Sequence, residues 1–199
     1  MAREARKTAI PPKSAEVGTA KPSNGLVVRH YCQGIGDCHL LKFAKDDGTD
    51  FWMLIDCGLH SSVSGSYETI DTIVDDIALA TGGHIDVLVV THEHWDHVSG
   101  FLTAGDKFAK IKVDTVWMGW TEDPKDPDAV AFDKYKAAAL GVTQKATLRL
   151  NQNANADDVT ASVRAGLQSL AGLQFGAKGE KVRSARDAAR SLVAAEPVY

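Results

Sequence analysis

Between residues 26 and 55 apolar and polar positions alternate over short runs, and after that the period changes. Leu26 to Cys32, His39 to Phe43 and Phe51 to Ile55 read as three short strands, punctuated by Gly34, Gly36 and the Asp46-Asp47-Gly48 turn. The last two predict a hairpin. Ile70, Ile73, Val74 and Ile77 then recur at helical spacing with Asp71, Asp75 and Asp76 on the other face, and Gly82-Gly83 ends the pattern. The near-continuous run Ile85 to Val90 predicts a strand buried on both faces, and Ile111 to Met118 a further one. Strands on either side of a helix make the fold class α/β. Beyond Pro124 and Pro127 the character changes. Ala129 to Leu140, Asp157 to Leu170 and Glu180 to Ala194 are Ala-rich, polar and helix-prone, with a weak strand pattern at Ala146 to Leu150 and no repeat at a fixed period.

This pattern divides the chain into a flexible tail over 1–24, an α/β unit over 25–122 and a helical segment over 123–199 that serves as an insertion or cap. The tail carries three prolines, no apolar period and five basic against two acidic side chains, so the remainder is more acidic than the net charge of -4 implies. With 199 residues, 44% hydrophobic and 24% charged, the chain can bury a real core. Its net charge is too mild to announce nucleic-acid or membrane binding through bulk electrostatics. The apolar runs fall far short of the ~18–20 residues of a membrane span. Pro11 and Pro12 interrupt the basic N-terminus, which argues against a secretory signal. Cys32, Cys38 and Cys57 form no C-x-x-C pair and read as reduced core thiols, so the expected address is cytoplasmic. The closing Glu196-Pro197-Val198-Tyr199 resembles the start of a strand, an expectation that the sequence continues in a longer protein.

The chemistry is concentrated in Thr91-His92-Glu93-His94-Trp95-Asp96-His97, directly after the buried strand. Three of the seven histidines and two carboxylates fall there. Imidazole and carboxylate suit Zn²⁺, with Mn²⁺ or Fe²⁺ as substitutes, and a tight turn lets alternate residues converge on an ion. The helical H-E-x-x-H pattern of zinc proteases does not apply: position 96 is Asp, and the motif follows a strand. His30, His39, His60 and His84 read as surface or strand histidines, with His60 placed to border a pocket. Trp52, Trp95, Trp117 and Trp120 read as packing residues, Trp120 also as a candidate for stacking on a substrate.

The His-x-His-x-Asp-His loop after a hydrophobic strand resembles the hallmark of the metallo-β-lactamase fold superfamily. Leu54-Ile55-Asp56-Cys57-Gly58 is similar to its early strand ending in Asp-x-Gly, and Gln33-Gly34-Ile35-Gly36-Asp37-Cys38 to the G-x-G-D entry of its ComEC-like branch. The resemblance covers residues 26 to about 120 and implies an αβ/βα sandwich of which the first half is present. It implies one or two zinc ions, His92 and His94 on the first, Asp96 and His97 on the second. Asp96 would also orient the nucleophile, a metal-bound water whose pKa is drawn from 15.7 toward about 7. Asp56 and, more weakly, Asp37 would orient the metal loop from behind the ligands, although each is also an ordinary turn residue. The implied function is metal-dependent hydrolysis of an ester, amide or phosphodiester in a small molecule, with nucleic acid a substrate by analogy alone and no membrane partner. A full two-metal site in the superfamily draws two more histidines and a bridging Asp from later in the domain. This chain has no histidine after His97. The expectation is therefore an incomplete site with weak or absent turnover in these residues, completed in a longer parent. The alternatives are a non-catalytic metal-binding or interaction module with a degenerate site, and a regulatory component whose helical third docks a partner. Oligomeric state is not encoded legibly.

Overall fold

Local chemistry accounts for where each element starts and stops. The computed structural model describes residues 25–60, 69–152, 158–174 and 179–199; the expected tail over 1–24 lies outside them. Strands β1 (Leu26–His30), β2 (His39–Ala44) and β3 (Asp50–Ile55) form an antiparallel meander. Its β2–β3 hairpin turns at Lys45–Thr49, where Thr49 donates through its backbone N–H and its hydroxyl to Asp47. Helix α1 (Ile70–Thr81) starts at Thr69, whose hydroxyl accepts from the Thr72 N–H, and stops at Gly82 in the left-handed region, φ 64°. It carries the chain to β4 (His84–Val90), parallel to β3. Helices α2 (Trp95–Thr103) and α3 (Gly105–Phe108) then lead to β5 (Lys112–Met118), parallel to β4. The result is one five-stranded mixed sheet in the order β1-β2-β3-β4-β5.

Leu40, Leu54, Leu88 and Val116 stand side by side across four strands and are all but fully buried. With Ile73, Val74 and Ile77 of α1 and Val98 and Phe101 of α2 they belong to one core cluster. Arg29 and Tyr31 both bond Asp76 of α1, which ties the edge strand to the helical layer.

Past β5 a single 3-10 turn, α4 (Pro127–Asn151), α5 (Asp158–Gln174) and α6 (Gly179–Arg190) follow. Asp126 caps α4 by accepting from the Asp128 and Ala129 N–H groups, with Pro127 in the first turn. This helix runs straight through Ala146–Leu150, correcting the weak strand expectation. Once nucleated, a helix gains a bond for each residue added, and Ala, Leu and Arg there favour it. Gly141 sits inside α4 with open space around it and costs only about 1 kcal/mol relative to Ala. Helix α6 returns to the sheet domain and lies against α2, where Ala185 and Ala189 are fully buried in the same core. Val198 then bridges in parallel to Trp117, donating to the Val116 carbonyl and accepting from Met118 N–H, so the closing residues do take up extended pairing.

Three packing expectations change. Cys38 and Cys57 are fully buried, and the Cys38 thiol is held protonated by the hydrogen bond it donates to Cys57 and by burial; Cys32 is exposed because β1 ends at His30 and the chain leaves the sheet. Trp52 and Trp95 pack against the core, whereas Trp117 and Trp120 are half exposed. Trp117 follows the buried Val116 on β5, and successive strand residues face opposite ways, so it points away from the helical layer. No helix among the described residues is long and apolar enough to cross a membrane. Leu88→Ala, at the centre of the sheet, is expected to lower stability by about 2–5 kcal/mol, measured as a drop in urea midpoint at unchanged slope.

Candidate metal centre

The site forms where parallel strands β3 and β4 end and their chains turn back over the sheet. Residues 91–94 make a non-helical bend after β4, and Asp96 and His97 occupy the first turn of α2. His94 sits at the helix entry with extended backbone, φ -65° and ψ 145°, and its carbonyl accepts from His97 and Val98 N–H. Its side chain caps nothing. The three imidazoles come together: His92 and His97 ring centres lie 4.0 Å apart, His92 and His94 4.5 Å.

Asp56 organises this cluster. It is 1% exposed and adopts φ 55°, the only positive φ on a described residue other than glycine; Asp tolerates that region better than most residues. Its Oδ1 accepts from the Thr91 N–H at 2.9 Å, and its Oδ2 from the Thr91 hydroxyl at 2.6 Å and from His97 Nδ1 at 2.9 Å. The Thr91 hydroxyl proton is thereby spent on Asp56, so the 2.9 Å contact between Thr91 Oγ1 and His92 Nδ1 has the imidazole donating. Both His92 and His97 thus carry their proton on Nδ1, leaving the Nε2 lone pairs free for an ion.

The other predicted residues fall around this frame. Asp96 Oδ2 lies 3.9 Å from His97 Nε2, on the side of the free lone pair. Asp37 Oδ2 lies 3.7 Å from His97 Nδ1 with its side chain half exposed, and its N–H donates to the Asp96 carbonyl. Asp37, Asp56 and His97 offer ligand atoms within 4.8 Å of one another. His60 joins the neighbouring loop through its backbone N–H to Ile35 O, while His30 pairs with His39 across β1 and β2. A second acidic group, His84, Asp86 and Asp114, sits at the other end of β4. Lys45 and Lys112 already neutralise its carboxylates, so it needs no ion.

Close backbone approach holds the loops to the helix. A Cβ on Gly58 would lie 2.3 Å from the Asp96 carbonyl group, and one on Gly36 2.4 Å from Gly58 O. Cys57 N–H donates to His97 O, and Gly58 N–H to Asp37 O. Glycine at 36 and 58 therefore lets three loops stack at backbone distance beneath the histidines.

Several contributors lie within the quoted motifs but had no role assigned from the sequence. Thr91 relays Asp56 to His92. Gln33 is fully buried, its Nε2 donating to Gly58 O and its Oε1 without a hydrogen-bond partner. Glu93, between two candidate ligands, meets Lys136 of α4 and Arg186 of α6.

By their chemistry, imidazole nitrogens beside carboxylates suit a divalent first-row ion, and the described group at this site whose ligand atoms all lie within 4.8 Å of one another is Asp37, Asp56 and His97. Burial, and then the neighbouring His97 and His94, hold the His92 pKa below the ordinary histidine value, keeping it neutral for ligation. At His97 burial acts in the same downward sense but is outweighed by the Asp56 hydrogen bond and the charges of Asp56, Asp96 and Asp37, so its pKa is raised. Protons therefore compete with an ion for His97 to higher pH than for His92. In metal-free protein followed by NMR, His97 is expected to titrate above about 6.5 and His92 below it. Asp56→Asn removes the largest raising contribution and leaves burial, so the His97 midpoint should fall.

Among curated proteins and solved structures, none matches this chain. A family model described as the metallo-beta-lactamase superfamily matches residues 33–148, more than half of the chain. That span holds the Gln33–Asp37 entry, Asp56 and the whole His92–His97 motif, and the mixed sheet with its helical layer is consistent with such a fold. The chain belongs to the metallo-beta-lactamase superfamily.

Proposed function

We propose that this protein is a metal-dependent hydrolase whose ion is held by His92, His94, Asp96 and His97. The observation that supports the reading is the closeness of the His92 ring to those of His94 and His97, with Nδ1 of His92 and His97 engaged by Thr91 and Asp56 so that their Nε2 atoms remain as donors. A bound divalent ion, zinc in this reading, supplies a water acidified toward neutral pH. Asp96, at the lip of the imidazole cluster, orients that water and accepts its proton. Asp56 holds His97 in one tautomer and resists reorientation of the ring during turnover. Asp37, half exposed at the mouth, faces incoming substrate.

A phosphodiester is the substrate class we favour over a lactam or thioester. Support comes from the Gln33-Gly34-Ile35-Gly36-Asp37 entry, similar to the ComEC-like branch, and from its place in the site, stacked on Gly58 and Asp96. A second reading, a metal-binding module without turnover, draws support from the absence of any histidine after His97. It leaves a donor set sufficient for one ion.

Protein purified without added metal is expected to hold about one zinc per chain by elemental analysis, and His94→Ala well under half of that. A longer parent that supplies the further ligands should, when zinc-loaded, hydrolyse bis-p-nitrophenyl phosphate in preference to nitrocefin and lose that activity in His94→Ala, whereas residues 1–199 alone are expected to show weak or absent turnover. Zinc without turnover in that longer protein would favour the module. Equal activity in wild type and His94→Ala would remove metal hydrolysis from consideration.

A further inference from the structure

The motif is held at both ends by Asp56, which binds Thr91 before it and His97 after it. Its middle is held differently. Glu93, between His92 and His94, is engaged by the C-terminal helices. Its Oε1 meets Lys136 Nζ at 2.5 Å, and its Oε2 meets Arg186 Nη1 at 3.1 Å. The same Arg186 nitrogen lies 3.0 Å from Glu122 Oε2, and Arg190 donates to the Glu122 carbonyl at 2.7 Å. Glu122 is 5% exposed and the Arg186 side chain 14%, so the cluster is largely withdrawn from water. Arg186 and Lys136 balance Glu93 and Glu122, and a guanidinium cannot shed its charge to escape. Burial alone would lower the Arg186 pKa, but Asp187, Glu122 and Glu93 together raise it.

Helix α6 lies wholly outside the span that matches the superfamily, yet it packs along α2 with Ala185 and Ala189 buried at the contact. Those small side chains let α6 lie close enough for Arg186 to reach the bend. We propose that Arg186, through Glu93, is a positioning residue that sets the spacing of His92 and His94, so that the C-terminal helix tunes the metal affinity of a loop some ninety residues earlier. Lys136 braces the same carboxylate from α4. The proposal rests on the reading of residues 92–97 as the metal loop.

The test uses the full chain, with zinc affinity measured by competition with a chromophoric chelator and ligand geometry by the visible spectrum of the Co²⁺ form. Arg186→Gln is expected to weaken zinc binding about 10–100-fold and to alter the Co²⁺ bands, while the far-UV circular dichroism of the metal-free protein stays that of wild type. Arg186→Lys should recover much of the affinity, which a purely structural loss would not predict. Glu93→Gln should reproduce the defect, and adding it to Arg186→Gln should cost little more, since both open one contact. If Arg186→Gln fails to fold, Glu93→Gln carries the test, because its amide keeps the carboxylate's shape. Wild-type affinity and Co²⁺ bands in Glu93→Gln, with His94→Ala losing the ion, would overturn the proposal and leave the metal loop standing. Were wild type itself to take up no ion, the metal-loop reading would fall, and this proposal with it.

Discussion

The Asp56 carboxylate sits almost out of reach of water, where an uncompensated charge costs several kcal/mol. Three donors compensate it: the Thr91 N–H, the Thr91 hydroxyl and His97 Nδ1. Each donor belongs to the segment that leaves β4, so the ends of two parallel strands are fastened by one side chain. That fastening fixes which nitrogen of His92 and His97 is free, and with it what the cluster can bind. The left-handed backbone at Asp56 is the conformational cost of presenting the carboxylate there, offset by those three bonds and by the Asp56 N–H to Val89 carbonyl bond.

Much of this was legible in the chain because it is written locally. The hairpin over β2 and β3 follows from alternation plus an Asp-Asp-Gly turn, and α1 from a helical period ended by Gly82-Gly83. The motif was legible because its residues are contiguous, and Asp56 because it closes a strand. The end of α4 was not, because an isolated Gly looks like a terminator whether or not the backbone bends there, and five residues of mixed pattern at 146–150 fit either period.

Ion-pair partners were illegible for a different reason. Lys136 and Arg186 lie 43 and 93 positions from Glu93, and a charge on a polar helix carries no mark of the residue it will meet. The docking of α6 on α2 brings Arg186 to the bend, and α4 brings Lys136. The superfamily span ends at residue 148, so α6, which supplies the Arg186 part of the brace, is also a part that family resemblance says least about.

The ion cluster also has a bearing on synthesis. A ribosome adds about 5–20 residues each second, so the codon for Arg186 is translated some 5–20 s after that for Glu93. During that interval the nascent bend has its Asp56 fastening within reach but not its guanidinium brace. The Arg186 contact with Glu93 can therefore form only after α6 has been made.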